Sequence, residues 1–201
     1  IDFGGWTLFG KTLERIKNPI FDSPVISTNM TYEKLIRKIL KDKKIKKFKI
    51  VLEPVKKNTA PAILSATLLK EIPSNKPMIF FPADHLIENN NKLIKSINSN
   101  KKYLNDENIF IFGIKPNTES TQYGYFHTTN SKKPNKVIKF IEKPSIIVTK
   151  KIIKRGAYWN SGILLARKDS IIKNFKTYQP SIFNICNESL IRKKKNNKVY
   201  F

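Results

Sequence analysis

The chain has 201 residues and a formal charge of +24 at pH 7, from 39 lysines and arginines against 15 aspartates and glutamates. This length allows one domain with a sizeable core. No apolar run approaches the roughly 20 residues that cross a bilayer, so we expect no membrane partner. The basic residues are spread along the chain, with short clusters at 41–49 and 192–198, and aromatic residues do not interleave with them. We therefore expect no nucleic-acid partner. Codon drift and solvated faces explain the charge, and attraction of small anions is the alternative.

The single cysteine, Cys186, excludes an internal disulfide framework and indicates a reducing compartment, which we take as the cytoplasm. We expect Cys186 to be a small buried residue, because no histidine lies near it in the sequence. The stretch IDFGGWTLFGK lacks the basic start and long apolar core of a signal peptide. The chain begins with Ile1 rather than Met, which predicts that the natural start lies upstream.

The first part of the chain alternates predicted helices and strands. Residues 7–17 and 31–41 have apolar residues at helical spacing, and residues 24–28 between them predict a short strand. The apolar face of the second helix consists of Leu35, Ile36, Ile39 and Leu40. FKIVLE, residues 48–53, is a near-continuous apolar run that is typical of a strand covered on both faces.

The helix predicted at 59–72 has Asn58 or Thr59 as its cap and Pro61 in its first turn. The segment 77–87 predicts a second buried strand, which ends at Pro82. Residues 88–98 predict a polar-capped helix, and residues 108–115 predict a third buried strand. Strands alternating with helices predict a three-layer α/β sandwich with a mainly parallel sheet.

The second half of the chain has a different pattern. Residues 123–129, 136–144 and 159–168 are strand-like, with a turn signal, TNSKKPN, between the first two. They predict a small antiparallel excursion, after which residues 169–195 return to helix. Without a linker or an internal repeat, we treat residues 1–201 as one domain.

Polar residues gather where ligands bind in open α/β sheets, beyond the carboxyl ends of strands. Glu53 and the loop 54–59 follow one predicted strand, and Asp84 and His85 follow the next. The antiparallel excursion adds Gly124, Glu142, Lys143 and Asn160.

Each of these residues has two interpretations. Asp84 offers the hard oxygen ligand that Mg²⁺ prefers, or it caps the next helix. His85 is expected to point away from Asp84 on an extended chain and to be structural. A second histidine, His127, is far along the sequence, so the pair makes no convincing zinc site.

Glu142 and Lys143 could bind sugar hydroxyls and a phosphate, or form a charged surface turn. Asn160 could bind hydroxyls, or belong to turn chemistry. A Glu53 carboxylate could accept the two adjacent donors of guanine, and the alternative is a plain connecting loop before a capped helix.

Five segments taken in order carry a resemblance: EPVKKNTAPAI, FFPADHLI, FGIKPNTESTQYGYF, KFIEKP and YWNSGILL. Together they resemble the mannose-1-phosphate guanylyltransferases (GDP-mannose pyrophosphorylases) of the bacterial type, some of which are fused to a phosphomannose isomerase domain. The resemblance covers residues 7–190. It implies a Rossmann-like nucleotidyltransferase fold, GTP and mannose 1-phosphate as substrates, and Mg²⁺ as cofactor.

The resemblance also implies roles for individual residues. Glu53 would bind the base, with the loop of Asn58, Thr59 and Ala60 closing on it and Pro82 also at the nucleotide. Asp84 would bind the metal and, with Lys143, serve catalysis. The sugar-phosphate contacts would be Gly124, Glu142, Lys143 and Asn160.

The sequence departs from the family pattern at three places. Lys57 stands where the family usually has Arg. The glycine-rich phosphate loop of the form GGxGxRLWPxSR has no counterpart, since the Gly4–Gly5 pair lacks a following Arg. The second metal-binding aspartate, in an ISID-like segment, is also missing. We therefore expect this part of the domain to be inactive alone.

Two other functions stay open at this point. One is a sugar nucleotidyltransferase for another base or sugar, against which Glu53 favours guanine. The other is a basic nucleic-acid-binding module. The oligomeric state is open, and a homo-oligomer is among the allowed states.

Overall fold

The structure is a computed structural model that describes residues 7–55, 58–129, 134–192, 194–195 and 198–200. In this part of the chain the helices α1 to α7 are Leu8–Arg15, Glu33–Asp42, Thr59–Thr67, Asn90–Asn100, Ile146–Lys154, Lys168–Tyr178 and Pro180–Arg192. The strands β1 to β9 are Val25–Asn29, Lys49–Glu53, Pro77–Phe80, Ile109–Ile114, Tyr125–Thr128, Val137–Ile141, Tyr158–Arg167, Lys194–Lys195 and Lys198–Tyr200.

Burial of β2 on both of its faces builds the core around the parallel sheet. Ile50 and Leu52 pack with Leu13 of α1 and Leu40 of α2 on one face of the sheet. Val51 is fully buried and points to the opposite face, which α3 covers. β1 and β2 pair in parallel, β9 lies parallel to the other edge of β2, and β8 pairs with β9 in antiparallel fashion. The sheet thus has helices on both faces, as the predicted three-layer arrangement requires.

The ten-residue strand β7 organises a second, antiparallel sheet. β3, β4 and β5 each pair with β7, and β6 pairs with β5. The α/β class predicted from the sequence is confirmed, with a parallel sheet beside an antiparallel one. Among the described strands, the predicted parallel arrangement extends only to β1, β2 and β9, because β3 and β4 pair with β7 in antiparallel fashion. The strands of the predicted excursion are confirmed as β5, β6 and β7.

The pairing along β7 leaves a gap. β4 pairs with β7 at both ends of the strand, so β3 and β5 share the opposite edge. β3 occupies residues 164–167 of that edge and β5 occupies residues 158–159. Residues 160–163 lie between these two pairings, and the chain that leaves β3 passes this opening.

Some burial predictions were wrong. β2 is buried as predicted, but Pro77 of β3 is exposed, the other three residues of β3 are only partly buried, and Ile114 of β4 is 49% exposed. Among the described strands, β3 and β4 each pair only with β7, so both are edge strands. Leu35, predicted on the apolar face of α2, is 53% exposed, while Ile36, Ile39 and Leu40 pack in the core.

Three other sequence predictions concern particular residues, the buried cysteine and membrane-spanning helices. Gly4–Gly5, Lys57 and part of the TNSKKPN turn lie outside the described residues. Cys186 is buried, and burial raises the pKa of its thiol to about 11, as expected for an unreactive cysteine. Within the described part of the chain, no helix is both long enough and apolar enough to span a bilayer.

A buried lysine joins α3 to the second sheet. Lys168, the first residue of α6, is 7% exposed, and its Nζ donates to the carbonyl oxygens of Leu69 (2.8 Å) and Ile72 (2.7 Å). These carbonyls lie just after α3, so the lysine holds the end of that helix against β7 and α6. Burial lowers the pKa of Lys168.

We expect Lys168→Met to lower the free energy of unfolding by about 2 kcal/mol, because two carbonyls lose their donor. Urea denaturation measures the change. Lys173→Met is the matched control on the same helix, since Lys173 is exposed and contacts only the exposed Asp106 carboxylate at 3.4 Å. Its cost should be about 0.5 kcal/mol or less, and equal losses in the two variants would contradict the prediction.

Candidate functional site

Glu53 ends β2 at the carboxyl edge of the parallel sheet. It is only 9% exposed, and burial raises the pKa of its carboxyl group above the ordinary value. No described residue donates a hydrogen bond to this carboxylate, so its oxygens keep their capacity to accept bonds from a ligand. A carboxylate in this setting suits a ligand with two adjacent N–H donors.

Asn29, which the sequence analysis missed, fixes the backbone of Glu53. Asn29 ends β1 directly beside Glu53 in the sheet register. Its Nδ2 donates to the Glu53 carbonyl oxygen at 3.1 Å, and its Oδ1 accepts from the Thr31 amide at 3.0 Å. A polar amide as the last residue of a strand at this edge was the signal available in the sequence.

Asn58 takes the N-cap position of α3, but it does not cap the helix as predicted. Its side chain makes no capping hydrogen bond, and its φ of +68° lies in the left-handed region. That backbone conformation directs the side chain away from the helix amides, which is why the predicted cap fails. Thr59 and Ala60 start α3 and are exposed, so all three residues are open to a ligand.

The loop after β3 lies at the gap along β7. A Cβ added at Gly162 would lie 3.1 Å from Pro82 Cγ and 3.9 Å from His85 Cε1. The loop therefore packs closely over the glycine. The Asp84 side chain is 82% exposed, and its Oδ1 lies 3.9 Å from His85 Nε2. His85 was predicted to point away from Asp84, which is wrong because residues 83–84 form a turn and not an extended chain.

Glu142, Gly124 and Asn160 form one row across the antiparallel sheet. Tyr125 is paired with Ile141 and with Trp159, so the next residues along bring Gly124 between Glu142 and Asn160. The Asn160 amide donates to the Gly124 carbonyl oxygen at 2.8 Å. Residues in one row point to the same face of a sheet. The Glu142 carboxylate occupies the space over the glycine, since a Cβ on Gly124 would lie 2.6 Å from Glu142 Oε2.

Lys143 follows this row with an unusual backbone. Its φ of +41° is in the left-handed region, which costs a non-glycine residue about 1–2 kcal/mol. In the described part of the chain only Lys44, Asn58 and Lys143 share this property among non-glycine residues. Lys44 follows the end of α2, so the other two are the pair that the sequence analysis assigned to ligand binding. Strained conformations are often kept where a side chain must be aimed at a ligand.

The loop and the row join into one surface. The Gly162 amide donates to Asn160 Oδ1 at 3.1 Å, and Gly162 also packs under Pro82. The structure thus brings Pro82 close to Gly162, beside the row of Asn160, Gly124 and Glu142. Asp84 and Lys143 lie next to Pro82 and Glu142 along the chain, and their place in a common site stays a prediction. Glu53 and Asn58 lie on the other sheet, and no hydrogen bond or ion pair between described residues joins them to this surface.

The loop after β3 offers one carboxylate, that of Asp84, to a metal ion. Asp84 is exposed and offers a hard oxygen ligand. Within the described ranges, no group of three or more His, Cys, Asp or Glu side chains is arranged to hold a metal. This donor set fits Mg²⁺, which commonly takes one or two carboxylates and completes its shell with water and substrate phosphates.

Comparison with known proteins identifies the family. The model of the nucleotidyl transferase family matches residues 1–201. The mannose-1-phosphate guanylyltransferase of Salmonella montevideo is 31% identical over 91% of this chain and 40% of its own length. The alginate biosynthesis protein AlgA of Pseudomonas fluorescens is 30% identical over 91% of this chain and 39% of its own length. The chain therefore spans about two fifths of the length of these relatives.

Solved structures show the same fold. A crystal structure titled mannose-6-phosphate isomerase from Helicobacter pylori has a TM-score of 0.86 and 26% identity, covering 99% of this chain and 77% of the other. A crystal structure of a mannose-1-phosphate geranyltransferase, as its title has it, from Thermus thermophilus has a TM-score of 0.82 and 23% identity, covering 96% of this chain and 56% of the other. At that identity the second likeness concerns the fold alone.

The burial of Glu53 predicts a pH-dependent effect on stability. Because the folded chain raises the pKa of Glu53, it favours the protonated carboxyl group. The resulting penalty is absent below the ordinary glutamate pKa and develops as the pH rises through the raised value. Glu53→Gln should therefore increase the free energy of unfolding at pH 7, with little gain near about pH 4.

Urea denaturation at the two pH values measures this effect. Glu119→Gln is the matched control, because Glu119 is half-exposed beside Lys150 and its carboxylate is not subject to the same burial. A gain from Glu53→Gln that is equal at both pH values would contradict the prediction.

Proposed function

Because the chain belongs to the nucleotidyl transferase family, we propose that the whole protein is a mannose-1-phosphate guanylyltransferase, which converts GTP and mannose 1-phosphate into GDP-mannose and pyrophosphate. The observation that carries the proposal is the continuous surface at the β7 gap. There the loop of Pro82 and Asp84 meets the row of Glu142, Gly124 and Asn160. Relatives named for this activity, at about 30% identity, support it.

The sugar phosphate binds, in this proposal, on the row of the antiparallel sheet. The carboxylate of Glu142 accepts hydrogen bonds from two sugar hydroxyls, and Asn160 offers a donor and an acceptor to another. Gly124 lets the Glu142 carboxylate lie close to the backbone of β5, because a side chain at this position would displace it. Lys143 supplies a compact positive charge for the phosphate.

The guanine base binds at the edge of the other sheet. Glu53 accepts the N1–H and 2-amino donors of guanine, while Asn58, Thr59 and Ala60 line the loop that closes on the base. A base that presents an acceptor at either position would leave the buried carboxylate facing a lone pair. The discrimination therefore comes from Glu53, and Asn29 holds the end of its strand in place.

The reaction is an in-line displacement at phosphorus. A phosphate oxygen of mannose 1-phosphate forms a bond to the α-phosphorus of GTP, and the bond from that phosphorus to the bridging oxygen of the β-phosphate breaks. Pyrophosphate leaves with that electron pair. Because the sugar phosphate itself is the nucleophile, the protein forms no covalent intermediate. Catalysis consists of positioning and of charge neutralisation. Asp84 would hold Mg²⁺, which neutralises phosphate charge when bound, and Lys143 holds the attacking phosphate.

The direct test is product formation by the full-length protein. GTP, ATP, UTP and CTP are offered with mannose 1-phosphate and with glucose 1-phosphate, and the sugar nucleotide and pyrophosphate are quantified. We expect GDP-mannose to predominate. Preference for another triphosphate or another sugar phosphate would overturn the proposed specificity, and salt-dependent binding to DNA without any transferase activity would overturn the proposed function.

Glu53→Gln should lower kcat/KM for GTP, because a charged acceptor of two hydrogen bonds is lost. The loss corresponds to about 1–3 kcal/mol of transition-state stabilisation. The apparent KM for mannose 1-phosphate should change far less, since the sugar site lies on the other sheet. Steady-state kinetics with each substrate varied in turn provide the measurement. Equal effects on the two substrates would count against the base-binding role.

Gly124→Ala should have the opposite selectivity. The new Cβ would lie 2.6 Å from Glu142 Oε2 and 2.8 Å from Phe140 Cζ, so the carboxylate has to move. We expect kcat/KM for mannose 1-phosphate to fall. The loss corresponds to about 1–3 kcal/mol of transition-state stabilisation, which is the usual cost of overpacking. The KM for GTP is the internal control, and a larger effect on GTP than on the sugar phosphate would contradict the assignment.

A further inference from the structure

Arg15, the last residue of α1, is a buried cation of unusual kind. It is only 3% exposed, whereas arginines are rarely buried unless paired. Among the described residues, no carboxylate lies within ion-pair distance of its guanidinium. Burial lowers its pKa. The free-energy cost of burying this charge raises the question of what the side chain does.

The guanidinium contacts three residues between the end of β3 and the start of α4. Its Nε donates to Asn90 Oδ1 at 3.0 Å, and its Nη2 donates to the His85 carbonyl oxygen at 3.3 Å. The same group lies over the Phe81 ring, 5.6 Å from its centroid. Nη1 donates to Thr12 Oγ1 at 3.3 Å, which orients the fork from within α1.

These contacts enclose Asp84. Phe81 precedes it, and His85 and Asn90 follow it. The Asp84 carboxylate itself is 82% exposed, and the described residues hold it by no hydrogen bond. Its position is therefore set by the backbone of the loop, and Arg15 is the side chain that ties this backbone to α1.

We propose that Arg15 is a positioning residue for Asp84, a role that rests on the proposed function in which Asp84 binds Mg²⁺. The planar guanidinium donates to two acceptors that follow Asp84 and lies over the Phe81 ring, which precedes it. A lysine carries the same charge but offers a single point donor, so it cannot replace this geometry.

The experiment uses the full-length protein and Mn²⁺ as a probe for the metal site. Electron paramagnetic resonance of free Mn²⁺ gives the Kd, and kinetics give the Mg²⁺ concentration for half-maximal rate. Residues that orient a metal ligand typically contribute 10- to 100-fold to affinity, so Arg15→Lys should weaken Mn²⁺ binding by about tenfold or more. Asn90→Ala removes one acceptor at the edge of the loop and should weaken it by a smaller factor.

Lys168→Met is the matched control. Lys168 is also a buried cation that donates to main-chain carbonyls, but it lies at the end of α3. It should lower stability and leave the Kd for Mn²⁺ unchanged. Weakening by Lys168→Met equal to that by Arg15→Lys would overturn the proposal, because general loosening of the fold would then explain both.

The variant Asp84→Asn distinguishes the positioning role of Arg15 from the metal-binding role of Asp84. Weak Mn²⁺ binding in Asp84→Asn together with normal binding in Arg15→Lys and Asn90→Ala would overturn the role of Arg15 alone. Normal binding in Asp84→Asn would overturn the metal role in the proposed function, and the role of Arg15 with it. If Arg15→Lys does not fold, Asn90→Ala decides, since unchanged binding in that variant contradicts the proposal.

Discussion

The pairing of β7 with different strands along its two edges is the constraint on which the site depends. β4 follows β7 along most of its length, while β3 and β5 divide the other edge between them. β3, which leads into the loop of the proposed metal ligand, thus ends at the same opening at which β5 begins beside the proposed sugar site. Gly162 and Gly124 allow close packing there, because a side chain on either would collide with Pro82 or with Glu142 and Phe140.

The two halves of the proposed site are built differently. The base side lies on the parallel sheet, where one buried carboxylate lies at the end of a strand. The sugar side lies on the antiparallel sheet, where a row of three residues crosses neighbouring strands. Each half also contains a residue with left-handed backbone, Asn58 on one side and Lys143 on the other. Local strain at both places indicates that the aim of these side chains is maintained at a cost in stability.

Much of the fold could be predicted from local pattern. FKIVLE contains β2, whose residues are buried on both faces as the continuous apolar run predicts, and WNSGILLARK covers nearly all of β7, most of whose apolar residues are buried or partly buried. Burial in β3 and β4 could not be predicted, because a short apolar sequence does not reveal whether strands lie on both its edges. The exposure of Leu35 could not be predicted either, because helical spacing defines an apolar face but not how much of that face packs against the core.

The site could be predicted as a set of residues but not as an arrangement. The row of Glu142, Gly124 and Asn160 depends on the register of three strands, which no spacing in the sequence expresses. Arg15 was missed because a charged residue is ordinarily assigned to the surface, although its place seven residues after Leu8 put it on the same helical face. Asn29 was missed because its role lies in the neighbouring strand. The functions of all these residues stay predictions.

The gap along β7 also has a consequence for how the protein behaves among its copies. An interrupted strand edge exposes peptide groups that could pair with a foreign strand and start aggregation. Here the amides at the gap are already engaged: Gly162 donates to Asn160 Oδ1 and Ile163 donates to Ser161 Oγ. Side chains of the strand itself therefore occupy these two amides, which leaves the open edge with fewer donors for pairing with a foreign strand.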